Sequence, residues 1–358
     1  MQENKIIKLT VRDVRFPTSL EQHGSDAMHT DPDYSVAYVV LETDSDAALK
    51  GYGLTFTVGR GTEIGWTRKR SNSAGDSSHS ECCLGFMGAG GGQEEQMLKE
   101  GYPAYTTSCA WLGYTDQQLT QLCSEALAQG WTKFKVKVGA DLQDDIRRCS
   151  LIRKLIGPNN TLMIDANQRW DVNEAITWVT KLAEFHPLWI EEPTCPDDVL
   201  GHASISKALA PLGIGVATGE QCHNRVMFKQ FLQAAALQFV QIDSCRVGSV
   251  NENLAIILMA AKFNVPVCPH AGGVGLCELV QHLILFDYIS VSASLNNRMC
   301  EYVDHLHEHF ESPTIIRNAH YIPPKDPGYS CEMLEESVQK HQYPDGEVWR
   351  AIEQQGKQ

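Results

Sequence analysis

From about Gly101 onward, short apolar runs alternate with longer stretches of helical period. The apolar runs fall at residues 104–108, 133–138, 162–165, 188–191, 213–217, 239–243, 265–268 and 288–291. Their length and their β-branched and aromatic content predict buried strands. The stretches between them carry helix signals. Thr115 with Gln118 forms a capping box ahead of Leu119, Leu122, Cys123, Ala126 and Leu127, and Gly130 stops that helix. Ser249 with Glu252 predicts the same start for a later helix, and Gly157-Pro158 closes another. Eight short strands alternating with helices predict a parallel (β/α) barrel, while a doubly wound open sheet fits the same alternation.

Ahead of this regular region, residues 5–14, 36–43 and 51–58 read as three strands of an N-terminal domain. A polar loop at 21–33 joins the first two and is too long for a simple turn, which makes it a candidate lid or binding loop, with a folded surface loop of no such role as the alternative. Residues 61–92 hold thirteen Gly or Ser among 32 positions and a basic patch, Arg68-Lys69-Arg70. Such a composition cannot bury a core, so disorder is expected there. Only residues 93–100 resemble a short helix. The tail, 315–358, contains Pro323-Pro324 and Pro327-Gly328 before an amphipathic segment and is expected to pack back on the N-terminal domain. The expected division is therefore 1–100 as a cap, 101–314 as the barrel and 315–358 as the returning tail.

The candidate chemistry sits at the strand ends. In Phe134-Lys135-Val136-Lys137-Val138, alternation aims Lys135 and Lys137 to one face. Two amines on a buried strand either snorkel to solvent or enter an interior that compensates them. Lys137, Asp165, Glu191, Glu220, Asp243 and His270 then close successive strands at spacings of about one βα unit. In a barrel these ends converge on one mouth. Each alone could cap a helix or bond a backbone amide. Three carboxylates brought together repel and call for a cation, and an all-oxygen set favours Mg²⁺. Asp243 would orient His270 and raise its pKa. By contrast, His305, His307 and His309 include an i,i+4 pair without an evident third ligand and read as a solvated surface cluster.

Composition narrows the picture further. The 358 residues suffice for one large domain and a smaller one, and 43% hydrophobic content is ordinary for a globular chain. A net charge of −14 speaks against nucleic-acid or anionic-membrane partners. No run reaches the length of a membrane span, and the first sixteen residues lack a signal-peptide pattern. The twelve cysteines are scattered without paired C-x-x-C spacing, which suggests free thiols in a reducing intracellular compartment.

The motifs together resemble the mandelate racemase branch of the enolase superfamily. They are Lys135-Val-Lys137, Asp165 in Met-Ile-Asp-Ala-Asn-Gln, Glu191 in Trp-Ile-Glu-Glu-Pro, Glu220 in Ala-Thr-Gly-Glu-Gln, and the Asp243/His270 pair. Within that branch the chain is most similar to the L-fuconate dehydratases, through Tyr-Thr-Thr-Ser-Cys-Ala-Trp, Pro-His-Ala-Gly-Gly-Val-Gly and Cys-Glu301-Tyr-Val-Asp-His. The resemblance implies a modified TIM-type (β/α)7β barrel with an N-terminal α+β cap, and a sugar acid as substrate. It implies Mg²⁺ on Asp165, Glu191 and Glu220, Lys137 as the base whose pKa Lys135 lowers, and His270 as the acid that releases the 3-hydroxyl. Lys135 and Glu301 would meet the substrate carboxylate, while Gly24, Ser25, Asp26 and Tyr34 would contact the remainder. A mitochondrial location also comes from the resemblance alone, with the cytosol as its alternative. The oligomeric state stays open, a homo-oligomer included.

One departure from the family pattern stands out. Its cap normally continues into a helical bundle, whereas the Gly/Ser-rich 61–92 occupies that place here. The chain thus resembles a shortened form, for which a catalytically impaired protein with an interaction role, or an acid-sugar racemase or epimerase, are the alternatives to a dehydratase.

Overall fold

Apolar alternation along the first strands builds a small antiparallel sheet in the order β1 (Ile6–Phe16), β2 (Tyr34–Thr43), β3 (Lys50–Val58). The structure, a computed structural model, describes residues 5–30, 32–45, 49–58 and 91–355. Apart from Gly91 and Gly92, the segment expected to be disordered lies outside these residues. The sheet buries Val14, Phe16, Tyr34, Val36 and Phe56 toward the rest of the molecule. The short helix foreseen near 93–100 is α1 (Gly91–Glu100).

The barrel follows. Strands β4 (Tyr102–Thr106), β5 (Lys133–Lys137), β6 (Thr161–Asp165), β7 (Pro187–Glu191), β8 (Gly215–Thr218) and β9 (Phe239–Val240) pair in parallel and in order. Six helices accompany them: α2 (Asp116–Ala128), α3 (Leu142–Ile156), α4 (Val172–Leu182), α5 (Val199–Leu209), α6 (Arg225–Gln233) and α7 (Ser249–Lys262). The next barrel position is an extended segment held by a single parallel bridge, Val240 to Val267. Helix α8 (Leu276–Phe286) then leads to β10 (Cys300–Tyr302), which pairs in parallel with β4 and closes the ring. The alternation is therefore (β/α)7β, as the sequence implies. Two of the expected caps are present: Thr115 and Gln118 make the reciprocal box, and Gly157 closes α3.

Two expectations fail locally. Residues 288–291 are not the last barrel strand. They lie in a π-helical turn, Asp287–Ser292, and β10 takes the strand position instead. Asp287 pairs with Arg298 at 2.7 Å, and the Tyr288 hydroxyl donates to Gln96 Oε1 at 2.5 Å. These long-range bonds outweigh the β propensity of the run. Ser249 does not cap α7 either, because Gly248 takes the N-cap position. Glu252 instead accepts the Arg225 amide at 2.9 Å and its Nε at 2.7 Å.

After the barrel, β11 (Ile315–Arg317) and β12 (His320–Ile322) form a hairpin that pairs antiparallel with β4. The chain then crosses to the N-terminal sheet. The Met333 amide donates to the Tyr38 hydroxyl at 3.1 Å, and Trp349 Nε1 donates to the Arg15 carbonyl at 3.1 Å. All ten described cysteines are free thiols.

Candidate active site

Parallel pairing at the strand ends sets the geometry of the site. Lys137 lies opposite Asp165 in the β5–β6 register, and Asp165 opposite Glu191 in β6–β7, so three ionisable strand ends stand side by side. Lys135 is buried at 1% exposure, with Phe134 and Val136 also buried. Its ammonium lies 2.5 Å from Glu191 Oε1, 2.7 Å from Glu301 Oε1 and 3.2 Å from Asp165 Oδ2. Lys137 donates to the same Asp165 oxygen at 2.7 Å and to Asn167 Oδ1 at 2.8 Å. The two lysines thus enter an interior, and neither snorkels away.

Across the mouth, Asp243 divides its carboxylate between two tasks. Oδ1 accepts the amides of Cys245 and Arg246 at 2.6 and 3.0 Å, while Oδ2 lies 2.9 Å from His270 Nδ1. The imidazole's other nitrogen is 3.6 Å from Glu220 Oε2 and 3.7 Å from Glu301 Oε2. Burial opposes the imidazolium, yet Glu220, the Asp243 hydrogen bond and Glu301 prevail and raise the His270 pKa to about 9. At neutral pH this group is an acid.

At Lys137 the influences oppose one another. Burial and Lys135 both lower its pKa, but Asp165, with Asp26 and Glu220, outweighs them and the net shift is upward. The ammonium is paired with Asp165 and Asn167. Glu191 is pushed up to about 8, first by burial and then by Asp165. Asp165 moves down because Lys137 and Lys135 overcome the effect of its burial.

These groups border a cavity of about 290 Å³ whose wall includes Gly24, Asp26, Tyr34, Lys137, Glu220, His270 and Glu301. Lys135, Asp165, Glu191 and Asp243 lie behind that wall. Ser25 is buried, and its carbonyl accepts the Leu112 amide at 3.1 Å, joining the 21–33 loop to the barrel. The wall also holds His29, Phe56, Thr107, Trp111, Asn167, Gln168 and Arg246, none of which the sequence singles out as a site residue. Thr107, Trp111, Asn167 and Gln168 do fall within the quoted motifs. Asn167 and Gln168 take left-handed backbone conformations, φ 45° and 66°, of the kind that cluster at functional sites.

The donor set suits a hard divalent cation. Asp165, Glu191 and Glu220 offer only oxygen and are all buried, and burial followed by the nearby Asp165 raises Glu191. As they stand, no three His, Cys, Asp or Glu side chains among the described residues are gathered as a metal cage. Lys135 and Lys137 contact Asp165 Oδ2, and Lys135 also Glu191 Oε1, whereas neither ammonium is paired with Glu220.

The histidine cluster differs from its expected form. Residues 307–309 make a 3-10 turn and are not part of a helix spanning the three histidines. His307 Nδ1 is 2.6 Å from Glu278 Oε1, and His309 Nδ1 is 3.0 Å from Ser337 Oγ. The His305 ring stacks on Tyr34 at 5.4 Å and meets Trp111 edge-on at 5.3 Å. Long-range packing, invisible in local spacing, draws all three inward.

Comparison with known proteins agrees with this architecture. The family model described as "Enolase C-terminal domain-like" matches residues 118–337. The chain belongs to the enolase superfamily. It is 58% identical to Mitochondrial enolase superfamily member 1 of Bos taurus, with 98% of this chain and 99% of that protein covered. That alignment spans 437 positions, more than the 358 residues present here, so the relative carries residues with no counterpart in this chain. L-galactonate dehydratase of Hypocrea jecorina is 40% identical, covering 96% of this chain and 95% of that protein. The crystal structure of human Mitochondrial enolase superfamily member 1 matches with a TM-score of 0.90 at 56% identity, covering 98% of each chain. The L-talarate/galactarate dehydratase of Salmonella typhimurium LT2, liganded with Mg and L-lyxarohydroxamate, shares the fold with a TM-score of 0.73 at 21% identity, over 93% of this chain and 92% of that one.

Proposed function

We propose that this enzyme is a Mg²⁺-dependent hydro-lyase of sugar acids, with L-fuconate as substrate and 2-keto-3-deoxy-L-fuconate as product. The observation that carries the reading is the placement of Lys137 and the Asp243-held His270 on one cavity, beside a buried carboxylate set. The likeness to an L-galactonate dehydratase supports the dehydratase class. The residue roles follow from the geometry together with the family pattern.

Asp165, Glu191 and Glu220 would hold Mg²⁺, which supplies positive charge to stabilise the anion that develops on the substrate carboxylate. Once Asp165 is engaged elsewhere, the strongest influence keeping Lys137 protonated is gone. Lys135 and burial then favour the neutral amine. Lys137 takes the proton from C2, and Lys135 with Glu301 anchors the carboxylate end. His270, protonated and oriented by Asp243, gives its proton to the departing 3-hydroxyl. The enol so formed becomes the 2-keto-3-deoxy acid. Tyr34, Gly24 and Asp26 border the rest of the substrate, and Ser25 fixes their loop through Leu112.

We also infer that the residues lacking a counterpart belong to the helical part of the cap formed by residues 1–100. A cap shortened in this way admits more water to the mouth, which favours slow turnover over none. A mitochondrial location rests on the relatives' name. Purified protein incubated with Mg²⁺ and L-fuconate, L-galactonate and other aldonates tests the proposal. Formation of a 2-keto acid supports it; C2 epimerisation without loss of water would replace it with a racemase, and inertness toward every acid with an impaired form.

A further inference from the structure

The carboxylate of Asp26 is already engaged within its own loop. Its Oδ1 accepts the amides of Met28 and His29, both at 2.7 Å, and its Oδ2 lies 3.2 Å from His29 Nδ1. The Asp26 amide donates to the His29 carbonyl at 2.9 Å. These contacts close residues 26–29 into a tight turn in which Asp26 is buried and His29 half-buried on the cavity wall. With Nδ1 committed to Asp26, the imidazole has Nε2 left, and that nitrogen has no partner among the described residues.

We propose that His29, held by Asp26, recognises the hydroxyl-bearing tail of the substrate through a hydrogen bond between Nε2 and a hydroxyl beyond the two reacting carbons. This rests on the sugar-acid reading and deepens it: the ligand class becomes aldonic acids of five or six carbons, distinguished from short 2,3-dihydroxy acids. The carboxylate set, Lys137 and His270 come from the barrel and face the carboxylate, C2 and C3. His29 comes from the N-terminal domain's loop, which is tied across the mouth by the Ser25–Leu112 bond, and so meets what the barrel leaves uncovered. A sugar hydroxyl both donates and accepts, so it satisfies Nε2 whichever protonation state the ring adopts. Asp26 favours the imidazolium, its hydrogen bond being the largest influence on the ring. The carboxylate assigned to substrate contact by resemblance is thus a positioning residue, and the imidazole it orients is the group that touches substrate.

The test is calorimetric binding by the full chain with Mg²⁺ present, using L-fuconate and its three-carbon counterpart glycerate, on wild type, His29→Ala, His29→Gln and Asp26→Asn. Losing one hydrogen bond to a partly exposed partner is worth about tenfold. His29→Ala should therefore weaken L-fuconate about tenfold while leaving glycerate unchanged. His29→Gln, which keeps a donor and an acceptor, should recover part of the loss, and Asp26→Asn should fall between. Equal weakening of both acids, or none of either, overturns the inference while leaving the sugar-acid reading intact. A wild-type protein that binds neither acid removes both. Thermal melts of each variant separate lost contacts from lost fold.

Discussion

Lys135 and Lys137 both direct their ammonium groups at one atom, Oδ2 of Asp165, from 3.2 and 2.7 Å. The two amines differ in everything else. Lys135 is enclosed by two further carboxylates, whereas Lys137 lies at the cavity wall. One is a fixed counter-charge and the other is free to exchange partners. Replacing Lys135 by Met should leave Glu191 without a cationic partner and take one away from Asp165 and Glu301. The expected cost is about 3–5 kcal/mol of stability, read as a lowered denaturation midpoint and partly restored by Mg²⁺. A midpoint within about 0.5 kcal/mol of wild type would show that these carboxylates do not depend on Lys135.

The role proposed for His270 requires the imidazolium. Its pKa of about 9 keeps it charged at neutral pH, and that charge is lost as pH rises through about 9. Turnover should therefore decline on the alkaline side. Asp243→Asn removes both a raising influence and the orientation of the ring. It should lower kcat about 10²–10⁴-fold and move the alkaline limb to lower pH. A rate profile flat from pH 7 to 10 in the wild type would contradict the role.

Gly24 has φ +82°, and a Cβ there would overlap the Tyr34 hydroxyl. Gly24→Ala must strain the backbone or displace Tyr34 from the cavity wall. The expected outcome is a loss of about 1–2 kcal/mol in stability together with weaker binding of sugar acids. Chemical denaturation with parallel calorimetry checks it, and unchanged affinity would mean that Tyr34 does not contact substrate.

His305 is half-buried against Tyr34 and Trp111, and its pKa falls to about 3, chiefly by desolvation and then by the neighbouring His23 and His307. The folded state therefore binds fewer protons at this ring than the unfolded state between pH 6.5 and 3. Stability is lost as pH falls through that window, by at most about 1.4 kcal/mol per unit from this group. His305→Phe keeps the ring contacts and removes the titration. Its stability–pH curve should be shallower than wild type below pH 6; parallel curves would show that His305 stays uncoupled from folding.

The barrel and the gathering of ionisable strand ends were legible because both obey a period: polar strand ends in phase with apolar runs survive any uncertainty about strand boundaries. What could not be read depends on distant partners. The run at 288–291 has strand composition, but Asp287 finds Arg298 and Tyr288 finds Gln96, and a π-helical turn results. Glu252 looked like half of a capping box until Arg225, 27 residues away, claimed it. The 305–309 histidines read as solvated because Tyr34, Glu278 and Ser337 are far off in sequence. The lowering of Lys137 by Lys135 is legible in the Lys-x-Lys spacing, whereas the larger opposing effect of Asp165 comes from a strand 28 residues on.

The central claim, that Lys137 removes the C2 proton of a sugar acid which His270 then dehydrates, is tested most directly by proton NMR in D₂O with Mg²⁺ and L-fuconate. Wild type should form the 2-keto-3-deoxy acid. His270→Asn should still exchange the C2 proton for deuterium while dehydrating at least about 10²-fold more slowly, and Lys137→Ala should neither exchange nor dehydrate. Exchange or dehydration by Lys137→Ala at the wild-type rate would contradict the account.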